Sequence, residues 1–228
     1  MNKKYFLVYN DNTHNDYLEQ LLNSVRSYGK DFEIIVFYKE DMDENFVNEN
    51  KEILEMNKGG GYWLWKPYIV NETLNKIEEG DYLFYMDSIY YFIEDFTPLY
   101  EDFLKENDFL IWENKPNESN NPLKKLCKMD IIKKYDIENK VILEDVNEFW
   151  GGSFLIKKTP KTVDLIKEWL TTCCNKHDIT DDPSEVPNHP EFIDHRHDQS
   201  LLSIILHKNN IQGQVFEKKY LQNVRYPY

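Results

Sequence analysis

Three clusters of residues can do chemistry. Asp87 closes the apolar run from Tyr82 to Met86. A carboxylate at a strand end can ligate a hard cation, because Mg²⁺ or Mn²⁺ takes one or two protein carboxylates and completes its shell with water and substrate phosphates. The same aspartate can instead simply bond turn amides. Gly59, Gly60 and Gly61 precede a Tyr-Trp-Leu-Trp-Lys-Pro run ending at Pro67. Glycines let a backbone approach a ligand closely, and a helix opening at Pro67, with Lys66 beside it, would turn its N-terminus toward an anion. The spacing does not match the GxxxxGK[ST] phosphate loop, and the alternative is a flexible loop with Trp63 and Trp65 packed in the core. His195, Arg196, His197, Asp198, Gln199 and Ser200 form the densest polar cluster. In an extended segment His195 and His197 project to one side, toward a metal or diphosphate, and Asp198 can act as a base or face an oxocarbenium-like centre. Against that stands a plain helix N-cap at Asp198 with exposed histidines.

The elements that must position these groups alternate. Residues 4–9, 33–38 and 82–86 read as strands, with a helix between the first two whose face carries Leu18, Leu21, Leu22 and Val25. A polar helical stretch over 43–57 and a helix from Pro67, stopped by Gly80, fill the second connection. Thr97 and Pro98 open a further helix bearing Leu99, Tyr100, Phe103 and Leu104, followed by a strand at 109–112. A polar loop over 113–121, a helix over 124–134, a strand at 153–156, a helix bearing Val163, Ile166, Trp169 and Leu170, an acidic loop from Asp178 to His195 and a last helix from about Asp198 complete the chain. The tail from Gln212 reads as a strand plus extended ends. This alternation predicts a single α/β domain, with a mostly parallel sheet flanked by helices and its ligands at the carboxyl ends of the strands.

Composition excludes several classes. With 27 Lys+Arg against 41 Asp+Glu the net charge is −14, so a nucleic-acid backbone would be repelled. The 3 cysteines lack zinc-ligand spacing and do not suggest a disulfide framework, and adjacent Cys173 and Cys174 read as core rather than a redox pair. No signal-peptide pattern and no apolar run near the roughly 20 residues of a membrane span are present, so a cytoplasmic setting is expected, in a bacterium or in the host if the chain is viral. The sequons at Asn71 and Asn117 are then chance matches. His14 and His207 read as structural or solvated, and His177 and His189 as exposed.

The Gly59–Tyr68 motif, the run from Gly80 through Asp87 to Ser88, and the His195–Ser200 cluster, in that order, resemble small GT-A glycosyltransferases of the nucleotide-diphospho-sugar transferase type. Such proteins occur in bacterial surface-polysaccharide loci and large DNA viruses. Lys128, Asp130 and the run from Trp150 to Ser153 also fall where that family keeps a Lys-x-Asp and a small-residue strand entrance. The resemblance implies a fold of nucleotide-binding half 1–112 and acceptor or catalytic half 113–228. It implies a UDP- or GDP-sugar donor, a glycan acceptor, and Mn²⁺ or Mg²⁺ on Asp87 and His195. Tyr9, Asn10, Lys58, Gly61, Trp65, Lys66, Asp87, Ser88 and Gln199 would hold the donor, and Asp198 and His197 would be catalytic. Ile89 stands where the family's Asp-x-Asp motif has its second carboxylate. Two other readings remain: a non-catalytic sugar-nucleotide or glycan-binding module, and a glycoside hydrolase, for which no local motif supplies a second acid.

Overall fold

The computed structural model describes residues 2–13, 15–29, 31–98, 103–113, 121–143, 146–215 and 220–224. His14, Leu99, Tyr100, the polar stretch 114–120 with its sequon at Asn117, and the last four residues lie outside them.

Strands β1 (Lys4–Asn10), β2 (Phe32–Tyr38), β3 (Tyr82–Met86), β4 (Tyr90–Phe92), β5 (Phe109–Glu113), β6 (Trp150–Lys157), β7 (Gln214–Val215) and β8 (Leu221–Asn223) alternate with helices as the sequence predicts, apart from β4 and β8, which follow β3 and β7 and are not expected from it. Among the described residues the main sheet has six strands in the order β2-β1-β3-β6-β5-β7, and β4 and β8 make a separate antiparallel pair. β1 pairs parallel with β2 and β3, while β6 runs antiparallel to both of its neighbours, β3 and β5. The expected mostly parallel sheet is therefore found, with one reversed strand. That reversal matters for the site: the start of β6, Trp150 to Gly152, lies at the edge where β1 and β3 end.

Period-two alternation covers both faces of the sheet. Leu7, Leu83, Tyr85, Phe154 and Ile156 join one buried cluster with Ile69, Trp169 and Leu201 from the helices. Phe6, Val8, Phe84, Met86 and Leu155 join the other, with Leu21 and Val25 from the Asn15–Tyr28 helix. The expected helices form at Asn15–Tyr28, Trp65–Lys76, Pro160–Cys173 and His197–Lys208. Thr159 caps the third of these, accepting from the N–H of Thr162, with Pro160 at its first position.

Three expectations need correction. The helix over 43–57 is two short ones, Glu44–Glu49 and Lys51–Leu54, because the Asn50 side chain bonds back to the Phe46 carbonyl and breaks the run. The helix over 124–134 is likewise Leu123–Leu126 and Met129–Lys134, since Cys127 and Lys128 are extended. Lys128 Nζ turns inward and donates to the carbonyls of His177, Thr180 and Asp182, pinning the acidic loop. His177 is not exposed but half-buried, its Nε2 2.7 Å from Asp130 Oδ2. His207 is structural as expected, stacked on Phe149 with its Nε2 2.8 Å from the Asn147 carbonyl oxygen. Cys173 is buried and unbonded, as core packing requires. No helix among the described residues is long and apolar enough to cross a membrane.

Candidate active site

β3 delivers Asp87, and the backbone N–H of Asp87 is fixed at 2.8 Å by the Gly152 carbonyl of β6. Its Oδ1 accepts from the Tyr85 hydroxyl at 2.5 Å and lies 3.6 Å from Lys66 Nζ. Lys66 also sits 3.0 Å from Asp198 Oδ2, and Lys66 and Asp198 are only 4% and 3% exposed. A single buried cation thus ties a strand end, a helix start and the His-Arg-His-Asp cluster, from residues 66, 87 and 198, into one net-negative group. Burial drives the Lys66 pKa down, but the carboxylates of Asp198 and Asp87 outweigh it and the net shift is upward. For Asp198 burial wins over Lys66, and its pKa is pushed up to about 6.

Two adjoining cavities share Asp87 and Trp63. The smaller, about 240 Å³, is lined by Lys58, Lys66, His195, His197, Asp198 and Gln199. The larger, about 510 Å³, takes Tyr9 and Asn10 from the end of β1, together with Trp65, Ser88, Lys39 and Gly60. Tyr9 and Trp65 stack at 3.9 Å on its wall. Eleven of the twelve site residues singled out in the sequence therefore converge on one edge of the sheet. The exception is Gly61, which packs inward: a Cβ there would come within 2.6 Å of Leu54 Cα.

The glycines do more than permit close approach. Gly59, Gly60, Gly61, Tyr62 and Trp63 all have positive φ, a left-handed turn that costs energy at the two non-glycine positions. Trp65 Nε1 donates to the Gly59 carbonyl and clamps the turn. Lys58, expected as a cation at the donor, is paired with Asp181 at 2.9 Å, and Tyr62 OH joins the same carboxylate. This contact ties the turn to the acidic loop.

The histidines are buried, and Asp198 is not the cap of its helix; that position is Arg196. Burial lowers the His195 pKa to about 3, so the ring is neutral. Its Nε2–H donates to the Asp178 carbonyl at 2.8 Å, which leaves Nδ1 as a lone pair, buried and without a hydrogen-bond partner among the described residues. His197, also neutral because burial lowers its pKa, bonds through Nδ1 to the Ile179 carbonyl and stacks on Trp63. Both rings thus read the backbone of residues 178 and 179.

Gly152 seats the key carboxylate. A Cβ there would stand 2.8 Å from Trp150 Nε1 and 3.0 Å from Asp87 Oδ2. Gly152→Ala is expected to cost about 1–3 kcal/mol in chemical denaturation and to displace Asp87. A stability loss below about 0.5 kcal/mol would show that the carboxylate moves freely.

The profile of the galactosyl transferase GMA12/MNN10 family matches residues 3–221. The chain belongs to that family of glycosyltransferases. Its fold is that of solved GT-A glycosyltransferases: GlyE of Streptococcus pneumoniae TIGR4 is 15% identical with a TM-score of 0.52, matching 96% of this chain and 46% of that one. Mouse xyloside xylosyltransferase 1 is 11% identical with a TM-score of 0.52, over 96% of this chain and 86% of that one. The bifunctional glycosyltransferase WbbM is 10% identical with a TM-score of 0.54, over 95% and 39%. The chain thus spans less than half of the GlyE and WbbM chains. Among curated sequences none matches significantly. The GT-A resemblance drawn from the motifs is accordingly correct at the level of family and fold. Sequence reading missed Lys39 and Asp194, which line the cavities, and Glu148, which lines neither but lies 5% exposed beside Gln199, in a stretch with no motif or periodic signal to mark it.

Proposed function

We propose that this protein transfers a sugar from a nucleotide-diphosphate sugar to a hydroxyl of a glycan acceptor, in polysaccharide synthesis. The observation that carries the reading is the Asp87–Lys66–Asp198 group at the seam of two cavities. In this reading the larger cavity, built by the first half of the chain, takes the nucleotide, with the Tyr9–Trp65 stack offering an aromatic wall for its base. The donor sugar lies in the smaller cavity, among Asp198, Gln199 and His197. The loop held by Lys128 and Asp130 shapes the acceptor side.

The residues present fit a hard divalent ion. Asp87 offers a partly exposed carboxylate, its side chain 28% accessible, and the orphaned Nδ1 of His195 belongs to a residue lining the same cavity. No cluster of three such ligands occurs among the described residues, so most coordination would fall to phosphate oxygens and water. Mn²⁺ or Mg²⁺, when bound by Asp87 and His195, would neutralise charge growing on the departing diphosphate. Asp198, held by Lys66, faces the sugar as an anion and either takes the acceptor proton or stabilises positive charge on the ring.

Titration calorimetry with UDP- and GDP-sugars, with and without Mn²⁺, tests this. Asp87→Asn is expected to weaken Mn²⁺-dependent donor binding at least about 10-fold while the thermal melt stays cooperative. Unchanged affinity would remove Asp87 from the site. Ile89 in place of a second carboxylate favours one other reading, a binding module without turnover; consumption of bound donor would dismiss it.

A further inference from the structure

Glu148 lies two residues before β6, and its carboxyl group reaches into the first turn of the His197–Lys208 helix. Gln199 Nε2 donates to Glu148 Oε2 at 2.5 Å, and Ser200 Oγ lies 2.7 Å from Oε1. Ser200 Oγ is also 2.5 Å from the Leu126 carbonyl oxygen and accepts the N–H of Arg196 at 3.1 Å. Proton counting decides the meaning of these contacts. A serine hydroxyl has one proton and a carbonyl oxygen has none, so the Leu126 contact uses the proton of Ser200. The short contact between Oγ and Glu148 Oε1 then requires a proton from Glu148. With that proton in place Ser200 donates once and accepts twice, and every contact is satisfied.

The consequence reaches the cavity. Gln199 is clamped at both ends of its amide, Oε1 by the Gly151 N–H at 2.9 Å and Nε2 by Glu148. The carbonyl of neighbouring Asp198 accepts from Trp169 Nε1 at 2.8 Å. We propose that Glu148 is a neutral carboxylic acid at physiological pH, a positioning residue whose O–H bond to Ser200 holds Gln199 and Asp198 in the cavity, and that losing this proton releases the turn and ends transfer at alkaline pH. The functional half of this statement rests on the transferase reading above.

The surroundings agree. Burial pushes the Glu148 pKa up to about 8, against the lowering pull of Ser200, Gln199 and Arg196 and with a raising push from Asp198. Cys127, on the segment before the Met129–Lys134 helix, faces it as a thiol whose own pKa is raised by burial and by Glu148.

Glu148→Gln tests the idea, because the amide keeps an N–H for Ser200 and a carbonyl for Gln199 but cannot ionise. The first measurement needs no substrate. An unfolded glutamate ionises near its ordinary pKa of about 4.3 while the folded one holds its proton to about 8. Between those values the native state binds the extra proton, so wild-type stability falls as pH rises through the window and levels off above it. The variant lacks this slope. Its melting temperature is expected to gain at least about 3 °C on wild type between about pH 5.5 and about pH 8. Parallel melting curves would overturn the neutral acid. The second measurement is consumption of UDP- and GDP-sugars with Mn²⁺. Wild-type turnover is expected to fall about 10-fold between about pH 7.5 and about pH 9, with that loss absent in the variant and KM for donor near wild type at about pH 7. The same alkaline loss in the variant would overturn the positioning role. If wild type consumes no donor, the transferase reading and the positioning role fail together, while the melting curves still decide the neutral acid. Should the variant not fold, the carboxylic-acid carbonyl band in the infrared spectrum of wild type at about pH 7 reads the proton directly, and its absence would overturn the proposal.

Discussion

Lys66→Met is expected to destabilise the protein by about 3–5 kcal/mol in urea unfolding near neutral pH. Methionine keeps the buried stem and removes only the charge. In its absence Asp198, 3% exposed, and Asp87 face each other with no cation between them, and an unpaired buried carboxylate is among the costliest groups a fold can hold. The rings of Trp65 and Tyr85, each 5.7 Å from Nζ, also lose a cation against their faces. Two features distinguish this from ordinary core damage. The deficit should shrink as pH falls toward about 6 and level off below it, because Asp198, whose pKa is pushed up to about 6 even with Lys66 lowering it, holds its proton to a higher pH in the variant and then ceases to need a partner. Adding Asp198→Asn should also recover part of the loss, since the double variant no longer buries that charge. A cost under about 1 kcal/mol with no pH dependence would mean that the triad does not hold the site together.

Asp198→Asn alone is expected to lower turnover about 10²–10⁴-fold while leaving donor affinity within a few-fold of wild type. The fold should survive, since Lys66 retains Asp87 as counter-ion and the Asp198 carbonyl still receives the Trp169 N–H. Calorimetric donor binding and single-turnover donor consumption separate the two effects. In wild type the required anion disappears as pH drops through about 6, so turnover should decline there. Full activity in the variant would reduce Asp198 to a structural partner of Lys66.

Much of this architecture was legible in the residues. Apolar runs ending at Asn10 and Asp87 marked strands whose carboxyl ends hold a site, and the helical spacing of Val163, Ile166 and Trp169 marked the helix that buries Trp169 completely. These signals are local: periodicity of two or about 3.6 reports which face of an element is apolar, and a short-range pattern suffices to show it. The reading failed where long-range contacts override local preference. Lys128 interrupts a helix that its neighbourhood favours, because its ammonium group is drawn to carbonyls about fifty residues away. The acidic loop was expected to leave His177 exposed, yet Asp130 holds it.

By itself the sequence determined the order of elements, their buried faces, the acidic balance that disfavours nucleic acid, and the placing of Asp87 and the His195–Ser200 cluster at element ends. Only the tertiary structure decided which charges meet. That Lys66 lies between Asp87 and Asp198, that Lys58 reaches Asp181, and that Glu148 meets Ser200 depend on the reversed strand β6 and on pairs separated by up to 132 residues. Ionisation follows from burial and neighbours, and these exist only once the chain has closed on itself.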